Sequence, residues 1–487
     1  MSVSPSAISR VTGVAVKFKN FNTGNVQMLQ QRLAVIGVGN HGVTYTTEKY
    51  ECQGNASEIG DKYGYGSPLY LAALQLFPLV GKGAGFPVTF YPLAEGSGAV
   101  QASGKIEIEG TATEAGSAKI VIGGQKATIA IASGDTKTEI FAKIKDGIDG
   151  VLAMPVTAAT GEDALTLTSK AAGEVGNLIK TRIECAVNGL TFTVTQLNGG
   201  VKDPDVTPAL DKIGEIWETA ILPCFDYKNT DRLDTTMLYC KGRIDDLEKK
   251  PVLCYWGCTD DYATRTAVTD ARPDDWCNPL LVSVGSSELP YVVGAKFLVD
   301  DILTTANENP AQGYKGKAEG LEAGDDSLQE NYNTRNASVM KGSSTNIKSG
   351  NAAELNDVVT MYHPASEGKY PSRRYVVDII KLMNIIYNVR LIMEADELKG
   401  APLIEDSTVT SNKTAIQPKT VKTWFLNLAK SLADKAIIQD VETTKNGLEV
   451  AIDSENPKRL NVTFPVKLSG NVEVTSTDIY FGFYVGK

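Results

Sequence analysis

At 487 residues the chain is too long for one ordinary core, and at about 150 residues per domain it should hold roughly three folded units. A hydrophobic fraction of 42% with 22% charged residues is ordinary globular composition and excludes a mostly disordered protein. The formal net charge of −10 argues against non-specific nucleic-acid binding, which needs clustered Lys and Arg, and would suit a basic partner surface.

The chain opens with an arm in which Val14, Val16 and Phe18 alternate with Ala15 and Lys17, the period of a strand. RLAVIGVG (Arg32 to Gly39) then predicts a buried strand, a short apolar run closed by glycines. In SPLYLAALQLFPL, Ser67 and Pro68 stand where an N-cap and first helical residue belong, and Leu69, Ala72, Ala73 and Leu76 share a face. FPVTFYPL restores the strand period.

From Ala94 the composition changes to the small-residue linker AEGSGAVQASG, matched near residue 200 by NGGVKDPDVTP, so an insertion is expected between them. It should contain a hairpin turning at Gly123-Gly124, a helix begun by the capping box Thr136 to Glu139 and carrying Ile140, Ile144 and Ile148, and the strands DALTLTS and LTFTVTQL.

Beyond it the pattern predicts helix TPALDKIGEIWE, strand TAILPCF, helix TDRLDTTMLYCKGRIDDLEKK, strands PVLCYWGC and PLLVSVG, and helix PYVVGAKFLVDDILTTA. Such alternation implies a mainly parallel, doubly wound α/β sheet. Residues 307 to 356, rich in Gly, Asn, Ser and Lys, read as a long irregular surface connection.

A buried helix follows in RRYVVDIIKLMNIIYNVRLIME, with Val376, Ile379, Ile380, Met383, Ile386, Tyr387 and Ile392 at helical intervals. A second is marked by Trp424, Leu428 and Leu432 in TVKTWFLNLAKSLADKAII, and the strands LEVAID, RLNVTFPVKL and NVEVTSTDIYFGFYV end the chain. The last strand places Ile479, Phe481 and Phe483 on one face and Tyr480 and Tyr484 on the other. Left alone such a segment would aggregate, so it is either central in its own sheet or donated to another copy.

The expected fold class is thus α/β and α+β multidomain. An N-terminal arm, 1–28, precedes a doubly wound α/β core of 29–98 with 203–356, interrupted by a β-rich insertion domain, 99–202. A C-terminal α+β domain, 357–487, ends in an extended arm.

Motifs for chemistry are weak. GVGNHG gives GxGxxG at Gly37, Gly39 and Gly42, but VTYTTEKYE follows where a dinucleotide site needs a helix, so ordinary turn glycines are the favoured explanation. KGAGF (Lys82 to Phe86) lacks the Gly-Lys-Ser/Thr ending of a phosphate loop. Seven cysteines without framework spacing predict buried thiols and no disulfide, and Cys254 and Cys258 have no convergent second pair for zinc. With two histidines, His41 and His363, few nucleophile-base arrangements exist, and Asp260-Asp261 and Asp274-Asp275 read as solvated loop charges. No catalytic residue, metal or cofactor is expected. The start, MSVSPSAISRVTGVAV, lacks the pattern of a secretory signal, and no run is apolar enough to span a bilayer.

The order of parts resembles a contractile tail sheath protein, particularly the Mu-like phage group. The residues that carry it are GVAVKFKNFNTGN followed by QRLAVIGVG, the insert segment AGEVGNLIKTRIE, and NPKRLNVTFPVKLSGNVEVTSTDIYFGF. The resemblance implies a non-enzymatic virion subunit, assembled in the bacterial cytoplasm. Its copies form stacked hexameric rings around a tail tube, capped by baseplate and terminator proteins, and contract to drive the tube through the host envelope. It also implies strand exchange between neighbouring copies, through Val14, Val16 and Phe18 at one end and Ile479, Phe481 and Phe483 at the other, with the insertion outward and the final domain facing the tube. The sheath of a phage-derived bacteriocin or injection machine would read the same way. An enzyme on the α/β core would instead predict a loaded pocket at the strand ends, and a surface-binding protein would use the β-rich insertion.

Overall fold

The computed structural model describes residues 26–79, 83–245, 247–368, 371–473, 475–479 and 481. It divides into two compact units, Leu29–Met383 and the described residues of Met1–Met28 with Asn384–Lys487; the division falls inside the helix Val376–Met393.

In the larger unit RLAVIGVG folds as the strand Leu33–Val38, buried at every position. It lies at the centre of a mainly parallel sheet ordered Leu253–Cys254, Ala220–Pro223, Leu33–Val38, Val88–Leu93, Tyr50–Glu51, whose last strand runs antiparallel. Burial on both faces explains why these strands read as continuous apolar runs. After Tyr255 the chain changes neighbour, and Trp256–Cys258 pairs in parallel with Leu280–Val282. Ser67 caps the helix Pro68–Leu76 by accepting from the Tyr70 amide at 3.2 Å. That helix packs beside Pro290–Phe297 against the sheet. Glycine allows the approach: a Cβ on Gly257 would fall 1.6 Å from the Pro290 carbonyl oxygen.

Several expected elements change in length. The helix begun by Thr207 ends at Ile213, where Gly214 turns the chain with φ +54°, and the next helix ends at Arg243. PYVVGAKFLVDDILTTA is two α-helices, Pro290–Phe297 and Leu303–Glu308, joined by a π turn at Leu298–Ile302. In that turn Asp301 accepts from the Gly316 amide at 2.7 Å and from Thr305 Oγ1 at 2.9 Å. Among the described residues the short helices Ala56–Tyr63, Tyr262–Thr269 and Val441–Gly447 escaped the periodicity; they are capped by Asn55, Asp261 and Asp440.

Residues 307 to 356 correct the expectation of an irregular connection. They hold a helix, Tyr332–Met340, and an antiparallel sheet ordered Lys317–Glu322, Ala352–Asp357, Thr345–Ser349. What fixes them is polar. Arg265, with no exposed side-chain surface, forms a two-pronged ion pair with Glu330 at 2.5 and 2.6 Å and donates to Ser338 at 2.8 Å and Ser343 at 2.9 Å.

The segment between the two linkers builds two sheets from its own strands. One is ordered Leu190–Asn198, Gln101–Gly110, Ala164–Ala172, Val156–Thr160; the other Gln125–Ile131, Gly116–Ile122, Thr181–Cys185. The hairpin turns at Gly123-Gly124 with φ of +53° and +81°, the pair of left-handed residues a two-residue turn of this twist requires. The Thr136–Glu139 capping box opens the helix Lys137–Asp149, which buries Ile140, Phe141, Ile144 and Ile148. Gln196 joins the sheets: its side-chain amide accepts from the Thr181 amide and donates to the Thr181 carbonyl, both at 2.8 Å.

In the smaller unit the helix Pro418–Asp434 buries Val421, Phe425, Leu428, Ala429 and Leu432. The buried stripe therefore runs through Phe425, while Trp424 is half-exposed. Along Val376–Met393 the latter half buries Ile385, Asn388 and Ile392, and the expected Ile386 and Tyr387 are half-buried.

Candidate assembly surface and the mouth of the sheet

The chain reverses direction across the α/β sheet between Val88–Leu93 and Ala220–Pro223, on opposite sides of Leu33–Val38. At such a switch point an α/β enzyme keeps its ligand. Here the crevice is filled from within. The Tyr45 hydroxyl accepts from the Gly39 amide and donates to the Leu93 carbonyl, both at 2.9 Å, and its ring meets Tyr63 edge-on at 5.4 Å. A Cβ on Gly39 would lie 2.5 Å from the Tyr45 ring, so this glycine of GVGNHG makes room for a tyrosine. Gly42, with φ +76°, is in a turn, and no helix follows before Ala56.

The segment 101–198 lies across the other strand ends. His41 N donates to the Lys170 carbonyl at 2.7 Å, Lys170 Nζ to the Tyr65 carbonyl at 3.2 Å, and Lys180 Nζ to Thr259 Oγ1 at 3.0 Å. Arg232 pairs with Glu174 at 3.6 Å and with the buried Asp203 at 3.4 Å. Burial pushes the Asp203 carboxyl up to about 6 against the opposing pull of the Val175 amide and Arg232.

Of the side chains considered for chemistry, Asp274 is exposed and the following have structural partners. Asp261 caps a helix by accepting from the Thr264 amide at 2.8 Å, which holds its carboxyl below the usual range. Asp260 accepts from the Tyr227 hydroxyl at 2.8 Å and from Lys228 at 3.1 Å. Asp275 accepts from Arg272, the Cys277 amide and Asn278 within 3.0 Å. His41 meets Glu95 at 3.0 Å on the surface, and His363 Nδ1 meets the Met361 carbonyl at 2.7 Å. The cysteines are unbridged; all are buried except the half-buried Cys185, and burial raises the Cys258 thiol to about 11. Among the described residues no cluster of three His, Cys, Asp or Glu could hold a metal, and no helix is long and apolar enough to cross a membrane.

The smaller unit carries a different kind of surface. After Pro418–Asp434, Ile438–Gln439 pairs antiparallel with Lys467–Leu468, and the hairpin Glu449–Ile452 pairs with Leu460–Thr463. Asp453 shapes the hairpin turn, accepting from the Glu455 and Asn456 amides at 3.0 and 2.9 Å. Phe464 packs edge-on against Phe425, with ring centroids 5.1 Å apart, holding the hairpin's exit to the helix. Among the described residues both sheets are two-stranded, so each has an outer edge that faces no strand.

The end of the chain corrects an expectation. NVEVTSTDIYFGFYV was read as a strand, but none of its described residues lies in one. A strand exists only beside a neighbouring strand, and no sheet among the described residues includes this stretch. Ile479 and Phe481 are instead 81% and 95% exposed, with Val472 at 76%. Phe483, and Val14, Val16 and Phe18 of the opening arm, lie outside the described residues.

At Gln27, within the expected arm, the chain is held in a way the sequence did not announce. The buried Asn388, inside Val376–Met393, accepts from the Gln27 amide and donates to the Gln27 carbonyl, both at 2.8 Å. The polar row Lys381, Asn384 and Asn388, at helical spacing in an otherwise apolar run, was the available signal.

No protein-family model matches the chain. Over 399 residues it is 25% identical to the Mu-like prophage FluMu tail sheath protein of Haemophilus influenzae, covering 80% of this chain and 81% of that one. A sheath tail protein from Listeria innocua superposes with a TM-score of 0.48 at 11% identity, covering 93% of this chain and 95% of that one. A sheath tail protein from Desulfitobacterium hafniense gives 0.45 at 13% identity, over 90% and 93%. The chain is thus similar to a Mu-like tail sheath protein along most of its length, as its own residues suggested.

Proposed function

We propose that the chain is the structural subunit of a contractile phage tail sheath and performs no catalysis. Copies polymerise in a six-fold helical array around a tail tube, between baseplate and terminator proteins, in a metastable extended state. The array then contracts and drives the tube through the host envelope. The work is stored conformational free energy, released as subunits repack.

The observation that carries this reading is the bare apolar end: Ile479 and Phe481 lie largely in solvent. A large exposed side chain forgoes roughly 1.5–3 kcal/mol of burial, which a neighbouring copy would supply. Added as a strand to an open edge of the Glu449–Thr463 hairpin or of Ile438–Gln439 in the next subunit, the segment would gain main-chain hydrogen bonds and side-chain pockets together. Such contacts are heterologous and propagate, which is how one chain builds a lattice. Val14, Val16 and Phe18 are assigned the same role at the other end, the insertion 99–202 the outer surface, and residues 357–487 the face toward the tube. The similarity to a named tail sheath protein supports the reading, as does a sheet mouth already filled by the chain's own tyrosine and insertion.

Removing residues 476–487 tests it. The truncated chain should unfold in urea as the full chain does yet form no cylinders by electron microscopy. Normal cylinders from it would rule out strand exchange at this end, and uniform small particles from the intact chain at high concentration would rule out the sheath.

A further inference from the structure

The seam between the segment 101–198 and the α/β core has one edge built unlike the rest. There the tip of the Gly116–Ile131 hairpin presses on the entry to the helix Pro290–Phe297. A Cβ on Gly124 would sit 1.8 Å from Glu288 Oε2, and one on Gly123 would sit 3.2 Å from Leu289 Cδ1. Two residues past the tip, Lys126 is ion-paired with Glu322, the last residue of the core strand Lys317–Glu322. Beside these contacts a polar cleft of about 650 Å³ brings solvent to the seam, with Lys119 and Arg182 on one wall and Ser286, Glu322 and Lys348 on the other.

We propose that the Gly123-Gly124 tip on Glu288, together with the Lys126–Glu322 pair, is a proton-controlled latch that closes this edge of the seam below neutrality and lets it open above. This inference does not depend on the assembly reading.

The charges around Glu288 set the direction. Burial pushes its carboxyl up to about 7; Glu322 pushes the same way, and Lys126 opposes. Glu322 is held below the usual carboxylate range by Lys126 first, with Lys119 and Arg182 adding to it. While Glu288 is protonated, an uncharged group supports the tip and Lys126 belongs to Glu322 alone. Once it ionises, two carboxylates compete for one ammonium, and one of them is enclosed beneath the hairpin backbone. Freed from the tip, Glu288 would titrate near an ordinary carboxylate value of about 4.3. A group whose closed-state value is raised stabilises closure fully below the free value and loses that contribution as pH rises through the closed value. Closure should therefore weaken about tenfold between pH 6 and pH 8.

Hydrogen exchange on the purified full-length chain tests this, followed in peptides covering 119–126 and 284–291 and corrected for the intrinsic pH dependence of exchange. Protection should fall about tenfold from pH 6 to pH 8 in both peptides together. In Glu288→Gln it should stay level. In Lys126→Met, which removes the cation favouring ionisation, the loss should move to higher pH. Level protection in the unmodified chain, an unchanged fall in Glu288→Gln, or an unmoved midpoint in Lys126→Met would each overturn the latch.

Discussion

Residues 307–356 and the end of the chain invert each other. The first is polar and aperiodic in sequence yet folds into a helix and a three-stranded sheet, whereas the second has a strong strand pattern and none of its described residues lies in a strand. The difference is where the partner is. Glu330 has Arg265, 65 positions earlier in the same chain, enclosed with it and with two serines. Ile479 and Phe481 have no such enclosure, and their exposure shows it. Periodicity reports what a segment would do beside a suitable neighbour, and only tertiary structure tells whether the chain supplies one.

The contrast can be broken most severely at the ion pair. Glu330→Ala leaves a guanidinium buried with no counter-charge, so subunit stability in urea should fall by about 3–5 kcal/mol. A loss within about 0.5 kcal/mol would mean that this region does not depend on its enclosed charges. A smaller effect is expected at Asn331, which caps the helix Tyr332–Met340 by accepting from the Thr334 amide at 3.0 Å. Asn331→Ala should cost about 0.5–2 kcal/mol in the same measurement, with the larger end expected if the helix supports the Arg265 cage. At the other extreme, Phe481→Ser should change subunit stability by no more than about 0.5 kcal/mol while lowering the yield of polymer seen by electron microscopy. Equal polymer from the variant would remove Phe481 from the proposed exchange, and a large stability loss would show that its ring packs within its own chain.

The legible parts of the fold were those written in local chemistry. Ser67-Pro68, Gly123-Gly124 and the Thr136–Glu139 box each specify a cap or turn through neighbouring atoms, and each is found where it was expected. Ala56–Tyr63 and Tyr262–Thr269, each two turns long, were too short for a periodic signal, although Asn55 and Asp261 mark their starts. Helix lengths were overrun past Ile213 because Ile216 and Trp217 continue the apolar pattern beyond the turn at Gly214, and past Arg243 because the charged residues after it keep a helical composition without a buried face. Of the candidate assembly residues, the apolar character of Ile479 and Phe481 was plain, but their exposure was not. Nor could spacing reveal that Tyr45 would fill the sheet's switch point, since its partners, Gly39 and Leu93, are brought together by the parallel pairing of two strands.

The hold of Asn388 on Gln27 has a mechanical side. One amide side chain grips a single residue's main chain at both its donor and its acceptor, so a pull on the chain ahead of Gln27 loads two short bonds at once. Neither can lengthen far while the other remains, and the same amide is braced from its own helix by donating to the Asn384 carbonyl at 2.8 Å. Tension arriving there is passed into the interior of a helix at one fixed point, as a rope is passed through a cleat.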